Sequence, residues 1–312
     1  MPKRYLVTGC SGFLGYHLAR YLCQKGGRVF GTYWKHAFSL AGVKPISCDF
    51  KNRTAVKDLV TETRPDVIFH LAGQSNIPYS WKDVEGTFQI NVFGTYYLLE
   101  SVREMKSKCR VVVTGSSSEY GSLPLTNKKA RHDENAPFRP SNPYALSKIS
   151  EDLLGRIYHH SFKMPVLGVV PFYVVGPRKE RDALSYFAQT IVRHQRGEIK
   201  YFPVGNLSVI RDVVDVRDGV RALDLIGEKG QPGQVYNLCT GKEISLKKVL
   251  HQMLKLSRSS MKIISDPKKF RVGEETRIVG NPARLKKLGW KPRHKLKDTL
   301  ETILDYWKEH LD

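Results

Sequence analysis

Thr8-Gly9-Cys10-Ser11-Gly12-Phe13-Leu14-Gly15 is the stretch on which the fold of this 312-residue chain turns. It follows the apolar run Tyr5-Leu6-Val7 and opens an amphipathic stretch over residues 13–25. Glycines between a strand and a helix permit a tight turn, close approach of backbone to a pyrophosphate and close helix–strand packing. The first helical N–H groups are then left to face phosphate. The spacing is G-x-x-G-x-x-G rather than G-x-G-x-x-G, and glycines alone would also suit a plain turn. Set between strand and helix, they predict a dinucleotide site contacted by Gly9, Ser11, Gly12, Phe13, Leu14 and Gly15.

Working outward, the second strand, residues 28–33, runs into Trp34-Lys35-His36 without an acid. An Asp or Glu there bonds the ribose 2′-hydroxyl of NAD, whereas a cation pairs with a 2′-phosphate. Lys35 therefore favours NADP, with NAD possible; a solvated loop lysine is the plainer reading. Asp49 is placed to bond adenine, although a turn aspartate would look the same. Further strands are expected at 67–71, 110–114 and 166–170, with helices at 54–63, 84–106 and 144–160. This alternation predicts an α/β fold, a Rossmann-type doubly wound parallel sheet. Beyond Gly176 the alternation weakens into helices near 183–196, 216–226, 245–256 and 296–310 among short strands. Residues 1–175 are expected to form most of the dinucleotide-binding domain. Residues 176–312 are expected to form mainly a smaller α/β substrate domain, with some segments returning to the first.

Tyr144 and Lys148 are four apart on an expected helix, so they share a face at about 6 Å. An ammonium beside a phenol lowers its pKa and makes it an acid/base group usable near neutrality. Tyr21 and Lys25 have the same spacing and are expected only to pack or face solvent. The Tyr144 pair differs because it lies downstream of Val111-Val112-Val113-Thr114-Gly115-Ser116. A serine just past a buried strand end can hold a carbonyl in the cleft, so Ser116, Tyr144 and Lys148 are the candidate catalytic set.

The chain carries 51 Lys+Arg against 30 Asp+Glu, a net charge of +21. The excess is spread, +9 over residues 241–312 and +12 over the rest, and no basic helix interleaves base-stacking aromatics. It reads as surface composition that attracts anionic cofactor and substrate rather than as a nucleic-acid surface. No apolar run approaches the roughly 18 residues of a membrane span. The beginning of the sequence shows no signal-peptide pattern. Five cysteines without metal-type spacing suggest reduced thiols in the cytoplasm and no metal site.

Together these residues resemble the extended short-chain dehydrogenase/reductases, the NAD-dependent epimerase/dehydratase family, over almost the whole chain. Leu71-Ala72-Gly73, Asn91-Val92-Phe93-Gly94-Thr95, Gly176-Pro177-Arg178, Arg211-Asp212 and Val235-Tyr236-Asn237-Leu238 add to the likeness. Gln74-Ser75, Ser80-Trp81 and the segment from Asn281 to Trp290 are similar to enzymes acting on GDP-6-deoxyhexoses, close to GDP-4-keto-6-deoxy-D-mannose reductases. The resemblance implies that Phe50, Leu71, Ala72, Gly73, Asn91 and Pro171 line the cofactor along with Tyr144 and Lys148. It implies substrate contacts from Ser75, Ser117, Ser118, Tyr173, Arg178, Arg211, Arg271 and Glu274, the arginines 211 and 271 clamping a diphosphate. It implies dimers through the helices at 84–106 and 144–160.

Two positions depart from the family pattern. Dehydratases carry a glutamate base two residues after the Ser116 position, where this chain has Ser118 followed by Glu119. On a strand-like segment one step reverses side-chain direction, so Glu119 should not replace it. Tyr173 stands where the family usually has Asn. The expected activity is NADPH-dependent reduction of a nucleoside-diphosphate 4-keto-6-deoxyhexose, with a GDP carrier. The rivals are a 4-epimerase or 4,6-dehydratase that regenerates its cofactor, and a non-catalytic cofactor sensor.

Overall fold

The computed structural model describes residues 2–270 and 274–311. The apolar runs become strands β1 (Arg4–Thr8), β2 (Arg28–Tyr33), β3 (Val43–Ser47), β4 (Val67–His70), β5 (Arg110–Thr114) and β6 (Val166–Pro171). With the strand Val235–Leu238 they form one parallel sheet, in the order Val235–Leu238, β6, β5, β4, β1, β2, β3. β1, β4 and β5 are buried almost throughout, as strands covered on both faces must be. Helix α1 (Phe13–Gln24) packs with Val216–Lys229 on one face. Helix α2 (Arg53–Thr63) and the helix Gly94–Glu104 cover the other, beside Pro143–Phe162.

Both edge strands escaped the sequence reading. β3 carries Lys44 and the exposed Pro45, which lacks the N–H of an inner ladder and is tolerated at an edge. Val235–Leu238 reaches the sheet only after a long excursion, which no local periodicity reports. Segments 216–229 and 235–238 thus lie in the first layer. The expected helix 84–106 is also not continuous: Val84–Phe88 passes through a π-helical turn, Gln89–Phe93, into Gly94–Glu104.

Among the described residues the rest of the C-terminal half makes three small sheets, one of them Tyr173–Val175 beside Val213–Asp215. Helices Ala183–Gln195, Leu246–Leu256 and Leu296–His310 enclose their own core around Phe187, Phe202, Met253 and Trp307.

At the turn after β1, Gly9 has φ +66°, and a Cβ on Gly15 would lie 2.3 Å from the Gly9 carbonyl oxygen. Backbone cannot yield as a flexible side chain can, so Gly15→Ala is expected to cost about 1–3 kcal/mol. Thermal unfolding should show a lower midpoint; an unchanged midpoint would mean that α1 does not pack this closely.

Candidate active site

β1 has β2 on one side and β4 on the other, so the strand order reverses there and the carboxyl ends leave a crevice. The buried Thr8 hydroxyl spans it, accepting the Leu71 and Ala72 amides at 3.0 and 2.9 Å and meeting His70 Nδ1 at 2.9 Å. On the β1 side, Gly12 caps α1 without any side-chain bond, and the first turn holds no acid. An uncapped helix start beside a glycine cradle has the donor set and the space that a pyrophosphate requires, so the residues present fit a dinucleotide. Gly73 is needed as well: a Cβ there would meet Asn91 Oδ1 at 2.9 Å and Lys148 Nζ at 3.4 Å.

The π-helical turn accounts for Asn91. Its amide accepts the Gln74 N–H at 2.8 Å and donates to Gln74 O and Ser147 Oγ at 3.1 and 2.9 Å. It thereby ties the β4 end to the helix that carries Tyr144 and Lys148. Such turns mark functional sites often enough that the break in the helix is itself a pointer.

That helix, Pro143–Phe162, starts at Asn142, which accepts the Ala145 amide at 2.8 Å, while buried Ser80 Oγ accepts the Tyr144 amide at 3.2 Å. Tyr144 and Lys148 are both buried. Lys148 Nζ donates to Thr114 O at 3.0 Å and lies 3.0–3.1 Å from both Glu151 oxygens. Ser116, at the end of β5, hydrogen-bonds the Tyr144 phenol. Burial pushes Tyr144 above its ordinary value, with Lys148 and Ser116 pulling the other way. The three candidate catalytic residues therefore converge. The Tyr21 and Lys25 pair has another fate, with Lys25 held by Asp224 at 2.6 Å across the contact of α1 with 216–229.

Glu119 needs a different reason from the one expected. Ser117–Glu119 is a 3-10 turn, not a strand, so residues do not alternate by face there. The Glu119 carboxylate folds back to accept the Ser116 amide at 2.6 Å and is fully buried. Burial pushes it up to about 8, the nearby Asp152 adding to the shift. It lies behind the reaction centre, and Gly115 leaves it room.

Other candidates are scattered. Exposed Lys35 sits 4.2 Å from the Trp34 ring centroid at the end of β2. Asp49 accepts the Lys51 amide at 2.9 Å, a local turn, while buried Phe50 packs on His70. Ser75 is exposed beyond Gly73, and Ser117 and Ser118 follow Ser116 in its turn. Tyr173 bonds Asp182 and lies near Arg211, which donates to Glu275 O at 2.8 Å. Arg178 is not brought to them: it stands 3.9 Å over the Tyr16 ring in a cleft of about 360 Å³ between α1 and the C-terminal helix. Glu274 is half-buried, and Arg271 lies outside the described residues. Sequence reasoning passed over Lys179, whose ammonium lies 5.6 and 4.6 Å from the Phe13 and Tyr173 rings, between the glycine loop and the substrate side. A second cation beside Arg178 was the available signal.

A Rossmann crevice ending in Ser, Tyr and Lys defines a short-chain oxidoreductase architecture. The chain belongs to the family described as GDP-mannose 4,6 dehydratase, whose model matches residues 6–303. It is 32% identical to the GDP-6-deoxy-D-mannose reductase of Pseudomonas aeruginosa, over 100% of this chain and 99% of that protein. It is 25% identical to the human dTDP-D-glucose 4,6-dehydratase, over 99% and 91% of the two chains. The solved structure of RMD from Pseudomonas aeruginosa complexed with NADPH superposes with a TM-score of 0.85 at 29% identity, covering 99% and 100%. The Thermus thermophilus UDP-glucose 4-epimerase complex with NAD reaches 0.88 at 24% identity, covering 99% and 100%, a likeness of fold.

Proposed function

We propose that this chain reduces the C4 carbonyl of a nucleoside-diphosphate 4-keto-6-deoxyhexose, with GDP as the carrier and NADPH as reductant. The observation that carries this reading is that, among the described residues, Tyr144 is the one acid/base group set against both Ser116 and Lys148. Ser118 stands where a dehydratase places its glutamate, and the Glu119 carboxylate is tied to the Ser116 amide behind the site. Removing a proton beside the carbonyl needs a second base; reduction does not. The full-length likeness to a GDP-6-deoxy-D-mannose reductase supports the same choice.

NADPH, when bound, supplies hydride to C4. Ser116 orients the carbonyl oxygen, Tyr144 gives it a proton, and Lys148 holds the phenol and the cofactor ribose in place. Lys35 would pair with the 2′-phosphate, and the start of α1, which has no side-chain cap, would hold the pyrophosphate. Tyr173, Arg211 and Glu274, with Ser75, Ser117 and Ser118, are assigned to the substrate side of the cleft, and Arg271, outside the described residues, is assigned there on resemblance alone. Arg178 is assigned to it on resemblance alone.

GDP-4-keto-6-deoxymannose should oxidise NADPH stoichiometrically, followed by loss of the reduced-nicotinamide absorbance. Tyr144→Phe should lower kcat at least about 10²-fold, the usual scale of a positioned acid, while Tyr21→Phe stays near wild type. Turnover without net NADPH loss would favour the epimerase or dehydratase reading, and no oxidation of NADPH or NADH by this substrate would overturn the reductive one.

The same helix that carries the site exposes Leu146, Leu153 and Ile157 on one face, and Phe93 lies exposed beside it. An apolar stripe at helical spacing suits a second copy of this chain. Sedimentation equilibrium should give a dimer that Ile157→Glu dissociates; a monomeric wild type would contradict this.

A further inference from the structure

Below Lys148 lies a carboxylate for which the reduction has no direct use. Glu151 is fully buried, three residues along the same helix, and its two oxygens lie 3.0 and 3.1 Å from Lys148 Nζ. The Thr95 hydroxyl, on the neighbouring helix Gly94–Glu104, lies beside it and opposes the effect of burial on it, its own proton going to Asn91 O at 2.6 Å. Thr95 in turn meets His70 Nε2 at 3.1 Å, and His70 Nδ1 meets Thr8 at 2.9 Å. A buried charge pair held this closely on both sides is not a surface accident.

We propose that Glu151 is a positioning residue that neutralises Lys148 and so keeps Tyr144 as a phenol, the form that donates a proton. The inference rests on the reductive reading and deepens it. A bare ammonium beside a buried tyrosine draws it toward tyrosinate, which suits an enzyme that must first abstract a proton from a sugar hydroxyl. A lysine closed into an ion pair presents the phenol with a weaker dipole, and the site is set to deliver protons instead.

The other charged and titratable groups facing Lys148 do not supply this compensation. Glu119, on the 3-10 turn, is pushed up to about 8 by burial and stays protonated and neutral near pH 7. Asp152 is engaged by Arg156 at 2.7 Å. His70 on β4 is driven down to about 3 by burial and by Lys148, so it is neutral and adds no charge. Burial works against the Lys148 ammonium, but Glu151 and Tyr144 outweigh it and hold the lysine above its ordinary range. Burial likewise pushes Glu151 up to about 7, Lys148 opposing. The signs agree. Above about pH 7 the Glu151 carboxylate offsets Lys148; below it Glu151 protonates, but the medium is then too acidic for Tyr144 to ionise. Tyr144 stays a phenol on both sides.

The test is a direct titration of Tyr144, which needs no sugar substrate and so stands apart from failure of the reductase assay. Protein labelled with ¹³C at tyrosine Cζ is titrated with NADPH present, and the resonance is assigned by its loss in Tyr144→Phe. In the wild type Tyr144 should titrate at or above the ordinary phenol value of about 10. In Glu151→Gln it should titrate at least about one unit lower, and Glu151→Asp should recover most of that shift. A wild-type value below the ordinary one overturns the proposal even if Glu151→Gln fails to fold. So does a Gln variant that titrates with the wild type or above it.

Discussion

Where the order of a parallel sheet reverses, two neighbouring strands send their chains in opposite directions, and the opening between them has to be held. Here a single hydroxyl holds it. Thr8 at the end of β1 accepts two amides just past β4, and its remaining proton goes to His70. That leaves the imidazole Nε2 as the donor to Thr95, whose hydroxyl gives its proton to Asn91 O and lies beside Glu151. The contact that shapes the cofactor crevice therefore continues, through buried groups, to the lysine of the reaction centre.

The remaining parts depend on this frame. Asn91, displaced inward by a π-helical turn, fastens the β4 end to the helix of Tyr144 and Lys148. Ser80 fixes the start of that helix, and Thr114 O anchors its lysine to β5. Geometry and charge are thus set by the same few bonds. Any substitution that loosens the crevice should also disturb the electrostatics of Tyr144.

The sheet interior and the reaction centre were legible because their signals are local. Buried strands read as apolar runs, the glycine loop has fixed spacing, and Ser116, Tyr144 and Lys148 follow from a strand end and a helical step of four. What escaped was nonlocal or conformational. β3 is polar because it lies at an edge, and Val235–Leu238 joins the sheet from far along the chain. The π-helical turn follows no apolar period. For Glu119 the expected reason does not hold, since face alternation does not apply on a 3-10 turn. Its capping bond to Ser116 is what removes it from the site. Arg178 shows the limit of a motif, because a sequence places an arginine beside the site without giving its direction, and here it points over the Tyr16 ring.

The central claim is that one acid, Tyr144, completes a hydride transfer to the sugar carbonyl. Incubating the enzyme with GDP-4-keto-6-deoxymannose and NADPH deuterated at nicotinamide C4, each stereoisomer in turn, tests this most directly. One isomer should place a single deuterium on C4 of the reduced sugar, with one NADPH lost per product. Deuterium kept in the cofactor after turnover with both isomers, so that the sugar product carries label from neither, would contradict it.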